Sequence, residues 1–221
     1  MFKIVNKKHN FLTSFIILKG MIVKMKEIVL ASNNKNKLQE FKNKLKKFNI
    51  NVISQKEAGF DIEVEENGTT FTENAKLKAE AIYKLSKKPV ISDDSGLEID
   101  YLNGAPGVFS HRFAGANATD SDRNNKVLNL MEKVKDDNRT ARFKCSICYI
   151  DNKGIEHIFE GCCEGKIARE ELGNNNFGYD PIFLYGDRTF AQMTQEEKSE
   201  VSHRGVAMKK FMEFIDSENR K

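Results

Sequence analysis

The run Lys26-Glu27-Ile28-Val29-Leu30-Ala31 is short and apolar, and Ser32-Asn33-Asn34 breaks it off. Leu38, Phe41, Leu45 and Phe48 follow at spacings of three and four. The run reads as a buried strand, and the spacing lays the later residues along one face of a helix. The same alternation continues down the chain. Residues 49–53 read as a strand, and Asp61-Ile62-Glu63-Val64-Glu65 alternates as a half-exposed strand does, with its carboxylates on one face. Thr70-Phe71-Thr72-Glu73 has the spacing of a capping box and opens a helix to about Lys87, with Phe71, Ala75, Ile82 and Leu85 as its apolar stripe. Pro89-Val90-Ile91-Ser92 reads as a strand that ends in a turn at Asp93-Asp94-Ser95-Gly96. Gly104-Ala105-Pro106-Gly107 marks a loop, and 122–134 reads as a helix. Residues 142–150 and 155–162 read as strands joined by Asp151-Asn152-Lys153-Gly154, a hairpin signal. Thr194-Gln195-Glu196-Glu197 is a second capping box, and Ser202 can cap a last helix whose Ala207, Phe211 and Ile215 face the core. The pattern is that of a mixed α/β domain.

No internal repeat and no long linker divides the 221 residues, a length that suits one large domain or two tightly joined lobes. Lys+Arg 36 against Asp+Glu 32 gives a net charge of +4, which excludes a histone-like basic protein and an acidic disordered tail. It leaves room for local basic patches that hold phosphate. Cys145 and Cys148 have the spacing of a zinc knuckle, with Cys162 and Cys163 as further thiols. On a strand, residues three apart point to opposite faces, so reduced thiols of a cytoplasmic protein are the favoured reading over zinc. Residues 1–24 are expected to be a dispensable extension, with a targeting peptide as the alternative. The apolar stretch 11–18 is too short to span a bilayer.

Four places could carry chemistry. At Ser32-Asn33-Asn34-Lys35-Asn36-Lys37 a strand gives way to a helix, whose N-terminal amides and nearby lysines favour an anion; a capped helix with solvated lysines is the plainer alternative. It is not a Walker A loop, because the glycines and the GK[ST] end are missing. Asp93-Asp94 are adjacent carboxylates, which repel unless a cation or proton sits between them; the alternative is a turn with an aspartate cap. Lys78 falls on the apolar stripe of its helix, one turn after Asn74, and must snorkel out or meet an anion. His203 and Arg204 follow Ser202 at a helix start, where cations oppose the dipole, so a ligand or plain solvation accounts for them.

These stretches occur in order with Glu65-Glu66-Asn-Gly-Thr-Thr-Phe-Thr-Glu-Asn74-Ala-Lys-Leu-Lys78-Ala, Ser92-Asp-Asp-Ser-Gly-Leu97, Gly104-Ala-Pro-Gly-Val108, Phe177-Gly-Tyr-Asp-Pro-Ile-Phe183, Glu197-Lys-Ser199 and Ser202-His-Arg-Gly205. In that register the chain, over about residues 25–216, resembles the inosine/xanthosine triphosphate pyrophosphatase family, the Ham1-like enzymes. The Asn-rich stretch 173–176 departs from the small residues usual there.

The resemblance implies a long twisted mixed sheet flanked by helices, with two lobes and an active-site cleft, spanning 25–221. It implies hydrolysis of ITP, dITP and XTP to the monophosphate and pyrophosphate in the cytoplasm, by a homodimer that uses Mg2+ and acts on neither nucleic acid nor membrane. Carried over, Ser32, Asn33, Asn34, Lys35, Asn36 and Lys37 form the triphosphate loop, and Asn74 and Lys78 support the phosphates. Glu65, Asp93 and Asp94 hold the metal, with Asp94 also the general base. Ser95, Phe177, Gly178, Tyr179, Asp180, Lys198, His203 and Arg204 bind the nucleotide and its base. A Maf-like pyrophosphatase acting on other bases is the rival enzyme. A non-catalytic nucleotide or RNA-binding module is the other rival, and unmetallated carboxylates, which repel phosphate, argue against it.

Overall fold

A computed structural model describes residues 15–18, 21–24, 26–175 and 177–220. The remainder of the expected N-terminal extension, and Asn176 of the Asn-rich stretch, lie outside the described residues. Hydrogen-bonded neighbours arrange seven strands in the order β4-β3-β5-β6-β7-β8-β9, and β1 and β2 make a separate two-stranded sheet. The chain divides into two compact units.

The first unit comprises the described part of Met1–Glu65, with Leu77–Ser92 and Tyr149–His157. In it β1 (Phe15–Leu18) and β2 (Met21–Lys24) pair antiparallel, Leu18 opposite Met21. β3 (Lys26–Leu30) runs parallel to β4 (Ile50–Ser54), with Lys26 opposite Ile50 and Leu30 opposite Ser54. It also runs parallel to the start of β5 (Val90–Ile99) through Val29–Val90 and Leu30–Ile91. Parallel neighbours need a crossover, and α1 (Lys35–Leu45) supplies it. Phe41 and Leu45 from its apolar face are fully buried, as are Val29, Leu30 and Ile91 on the strands. Each such side chain stabilises the fold by about 1.5–3 kcal/mol, which outweighs any exposed ion pair in this unit.

The second unit comprises Glu66–Lys76, Asp93–Cys148 and Ile158–Lys221. β6 (Thr140–Ile150) and β7 (Glu156–Ile167) lead to the short strands β8 (Phe183–Tyr185) and β9 (Arg188–Thr189), and β7, β8 and β9 pair antiparallel in turn. Parallel and antiparallel pairs in one sheet make it mixed, as expected. Leu97, Ile99, Val127, Met131, Phe143, Phe183 and Phe190 form the core, with Phe143 stacked 5.9 Å from Phe190.

Both capping boxes form. Thr70 and Glu73 exchange hydrogen bonds at the head of α2 (Phe71–Ser86), and Thr194 and Glu197 do so at α4 (Gln195–Val201). Ser202 caps α5 (His203–Asn219), which buries Ala207, Phe211 and Ile215. Four expectations fail. The stretch 61–65 forms no strand; its exposure alternates, yet no ladder partner holds it. Leu85 is 47% exposed, because the buried face of α2 runs through Asn74, Ala75, Ala79 and Ile82 instead. α3 spans Asp120–Leu130; it starts two residues earlier than expected, because Thr119 and Asp122 form a capping box, and ends four residues earlier, capped at Met131. β5 does not stop at Ser92. It continues through Asp93, Asp94, Ser95 and Gly96, where a side chain on Gly96 would meet Ser110 Oγ at 2.4 Å and Gly107 O at 2.6 Å. That glycine serves close approach rather than a turn.

Candidate active site

The junction from β3 to α1 is a capped helix start. Asn34 Oδ1 accepts from the amides of Asn36 at 2.9 Å and Lys37 at 3.1 Å, and Ser32 Oγ accepts from the Asn34 amide at 3.1 Å. Two of the amides expected to bind an anion are therefore taken by the protein's own cap. Asn33 and Lys35 are exposed, and the first turn carries no acidic residue, so the positive end of the helix is uncompensated by charge. In the same unit Glu65 stands exposed on the extended stretch after residue 60, and Lys78 is half-buried on α2.

In the second unit the acidic pair lies within β5, where successive side chains take opposite faces. Asp93 and Ser95 share one face, and Arg204 meets both: its Nε donates to Asp93 Oδ2 at 3.0 Å and its Nη2 to Ser95 Oγ at 3.1 Å. Asp94 faces the other way, where Asn74 Nδ2 approaches its Oδ2 at 3.4 Å. Asn74 is fully buried and also accepts from the Gly68 amide at 2.8 Å. The two carboxylates thus need no shared cation to coexist, contrary to the argument from their adjacency.

The stretch Phe177-Gly178-Tyr179-Asp180 gathers around α4 and α5. Lys198 Nζ, on a half-buried side chain, pairs with the buried Asp180 Oδ2 and lies 5.3 Å from the ring centre of Phe177 and 5.6 Å from that of Phe190. Burial pushes the Asp180 carboxyl up, against the opposing pull of Lys198 and Arg204. Tyr179 turns inward; its hydroxyl donates to Ser110 O at 2.8 Å, and burial raises its pKa. Its ring is an anchor, so only its backbone remains available to a ligand. His203 is buried and stacks on Phe143 at 4.6 Å. A side chain on Gly161 would stand 2.0 Å from His203 O and 2.6 Å from Ala207 N, so β7 and the first turn of α5 are in backbone contact. That approach fixes where His203 and Arg204 begin.

Among the described residues no three His, Cys, Asp or Glu side chains gather as a metal cage. Mg2+ does not require one, since it takes one or two carboxylates and completes its shell with phosphate and water. The oxygen donors of Asp94 fit such an ion. Asp93, committed to Arg204, fits it less well. Sequence reasoning passed over Asp120, whose Oδ2 accepts from the Gly178 amide at 2.9 Å. The T-x-x-D signature at Thr119–Asp122 marks the helix start but not Asp120, whose partner Gly178 lies 58 residues away.

A seven-stranded mixed sheet with a carboxylate pair inside one strand, a buried arginine at a helix start and a lysine beside an aromatic loop defines an α/β protein with a charge-paired polar site. The chain belongs to the Ham1 family, whose profile matches residues 28–214. It is 49% identical over 199 residues to a dITP/XTP pyrophosphatase of Clostridium perfringens (strain 13 / Type A), covering 86% of this chain and 98% of that one. It is 44% identical over 195 residues to a protein of the same name from Bacillus subtilis (strain 168), covering 87% and 98%. Among solved structures, the Staphylococcus aureus Ham1 protein superposes with a TM-score of 0.80 at 42% identity, covering 87% of this chain and 100% of that one. A HAM1 protein from Coxiella burnetii gives 0.81 at 44% identity with the same coverage. Among the described residues no helix is long and apolar enough to cross a membrane.

Proposed function

We propose that this chain is a nucleoside triphosphate pyrophosphatase that converts dITP, ITP and XTP to the monophosphate and pyrophosphate, and so clears non-standard purines from the nucleotide pool. The observation that carries this reading is the identity, across 98% of their length, with relatives named for that activity. The enzyme works in the cytoplasm as a homodimer, with Mg2+ as cofactor.

Mg2+, when bound, neutralises phosphate oxygens, and Asp94 with Glu65 would be its protein ligands. Asp94 also orients the attacking water toward the α-phosphorus and takes its proton. Ser32, Asn33, Asn34, Lys35, Asn36 and Lys37, with Lys78, hold the triphosphate; Asn34 would exchange its cap for the ligand. Asn74 orients Asp94. The ring of Phe177 stacks on the purine, with Lys198 held beside it by Asp180. Arg204, its plane fixed by Asp93 and Ser95, and His203 read the 6-oxo edge of the base. An adenine amino group would meet them donor to donor, an arrangement that discriminates strongly. Asp93 acts through Arg204 in this scheme rather than on the metal.

The test is pyrophosphate release from ITP, dITP, XTP, GTP, ATP and modified pyrimidine triphosphates, with Mg2+ and with the ion chelated. The 6-oxo purines other than GTP should be preferred, and chelation should abolish turnover. A preference for modified pyrimidines would move the chain to the Maf-like reading. Binding without turnover would make it a nucleotide-binding module.

A further inference from the structure

α3 is capped without help from its first residue. Thr119 N donates to Asp122 Oδ2 at 2.8 Å and Asp122 N donates to Thr119 Oγ at 3.1 Å, which completes the capping box. Asp120 is therefore not needed for the helix start, and its carboxylate is spent elsewhere. One oxygen pairs with Arg123 Nη2. Arg123 is itself held, its Nη1 donating to Ala118 O at 2.6 Å and His111 O at 3.0 Å, and its side chain is 9% exposed. The other oxygen accepts from the Gly178 amide at 2.9 Å, 58 residues away in sequence.

Gly178 stands at φ 60, between the ring of Phe177 and the inward-turned Tyr179. A side chain there would meet nothing within 4 Å, so the glycine is required by its backbone angle and not by crowding. Tyr179 is fixed on the far side of the turn by its bond to Ser110 O. On the near side, the tie from Gly178 to Asp120 orients the peptide that carries Phe177. The carbonyl of the same peptide accepts from Asp180 N at 3.2 Å. Without Asp120 the peptide is held on that side alone and can tilt about it, and the Phe177 ring would swing with it.

The geometry points to Asp120 as a positioning residue for the purine: braced by Arg123, it fixes the Gly178 peptide and thereby the plane of the Phe177 ring. This rests on the reading of Phe177 as the base-stacking residue. Asp120 touches neither phosphate nor metal in this scheme, so it governs binding and not chemistry.

In the full-length chain, Asp120→Ala should raise the KM for ITP about ten-fold, as loss of a charged hydrogen bond would, with kcat within about two-fold of the parent. Asp120→Asn keeps one oxygen that can accept from Gly178 and should recover most of the loss. In a Phe177→Ala background, Asp120→Ala should change KM less than about two-fold, because the ring through which it acts is gone. If Asp120→Ala does not fold, Asp120→Ser, which suits a helix start but is too short to reach Gly178, takes its place. An unchanged KM, a loss confined to kcat, or an undiminished effect in the Phe177→Ala background would overturn the assignment. A parent chain that does not hydrolyse ITP would instead overturn the functional reading, so the two failures are distinguishable.

Discussion

Arg204 donates from Nε to Asp93 Oδ2 at 3.0 Å, and the two side chains are 8% and 0% exposed. A buried pair of this kind is costly to break, about 3–5 kcal/mol, because the surviving charge is left without compensation. Arg204→Ala should therefore lower the melting temperature by roughly 6–20 °C for a domain of this size. Its kinetics would mix lost stability with lost recognition.

Arg204→Lys is the cleaner probe of base reading. It keeps a cation opposite Asp93 but loses the planar fork. If the fork reads the 6-oxo edge, the ratio of ITP to ATP efficiency should fall about ten-fold or more, the value of one charged hydrogen bond. Both substrates weakening together would assign Arg204 to phosphate, and an unchanged ratio would remove it from the specificity pocket.

Asp94→Asn keeps the shape of the side chain and its contact with Asn74 while removing the base. Turnover of ITP at saturating Mg2+ should drop about 10²-fold or more, the range expected of a general base, with the circular dichroism spectrum unchanged. Near-normal turnover in the folded variant would take the role away from Asp94.

Much of the fold around the candidate site was legible because it uses local rules. The capping boxes at Thr70 and Thr194, the cap at Ser202 and the helical stripe through Phe41 and Leu45 each depend on residues within a few positions of one another. What could not be read was set by distant partners. Asp93-Asp94-Ser95-Gly96 has the composition of a turn, yet Arg204, 111 residues away, neutralises Asp93 and lets the strand continue. Nothing near Tyr179 in sequence announces that its hydroxyl donates to Ser110 O, 69 residues away. The stretch 61–65 alternates as a strand does, but alternation cannot supply a neighbour to pair with.

Gly161→Ala tests the contact that sets the start of α5. A methyl group there would lie 2.0 Å from His203 O and 2.6 Å from Ala207 N, both backbone atoms that cannot rotate away. Overpacking of this severity should cost about 3 kcal/mol or more. The variant should melt well below the parent and lose affinity for ITP as His203 and Arg204 shift. Parent-like melting and KM would show that β7 and α5 separate readily at this point.

A chain beginning at Met25 should fold and hydrolyse ITP as the full chain does. The family match begins at residue 28. Within the seven-stranded sheet β3 lies between β4, which pairs along its whole length, and β5, which pairs at Val29 and Leu30. Among the described residues β1 and β2 pair with each other, in a sheet of their own. Among the described residues their removal therefore unpairs no strand of the larger sheet. Melting temperature and ITP turnover of the shortened chain, each compared with the parent, are the measurements. Agreement within a few degrees and about two-fold in rate is expected. Insolubility or a large loss of activity would instead make residues 1–24 part of the catalytic domain.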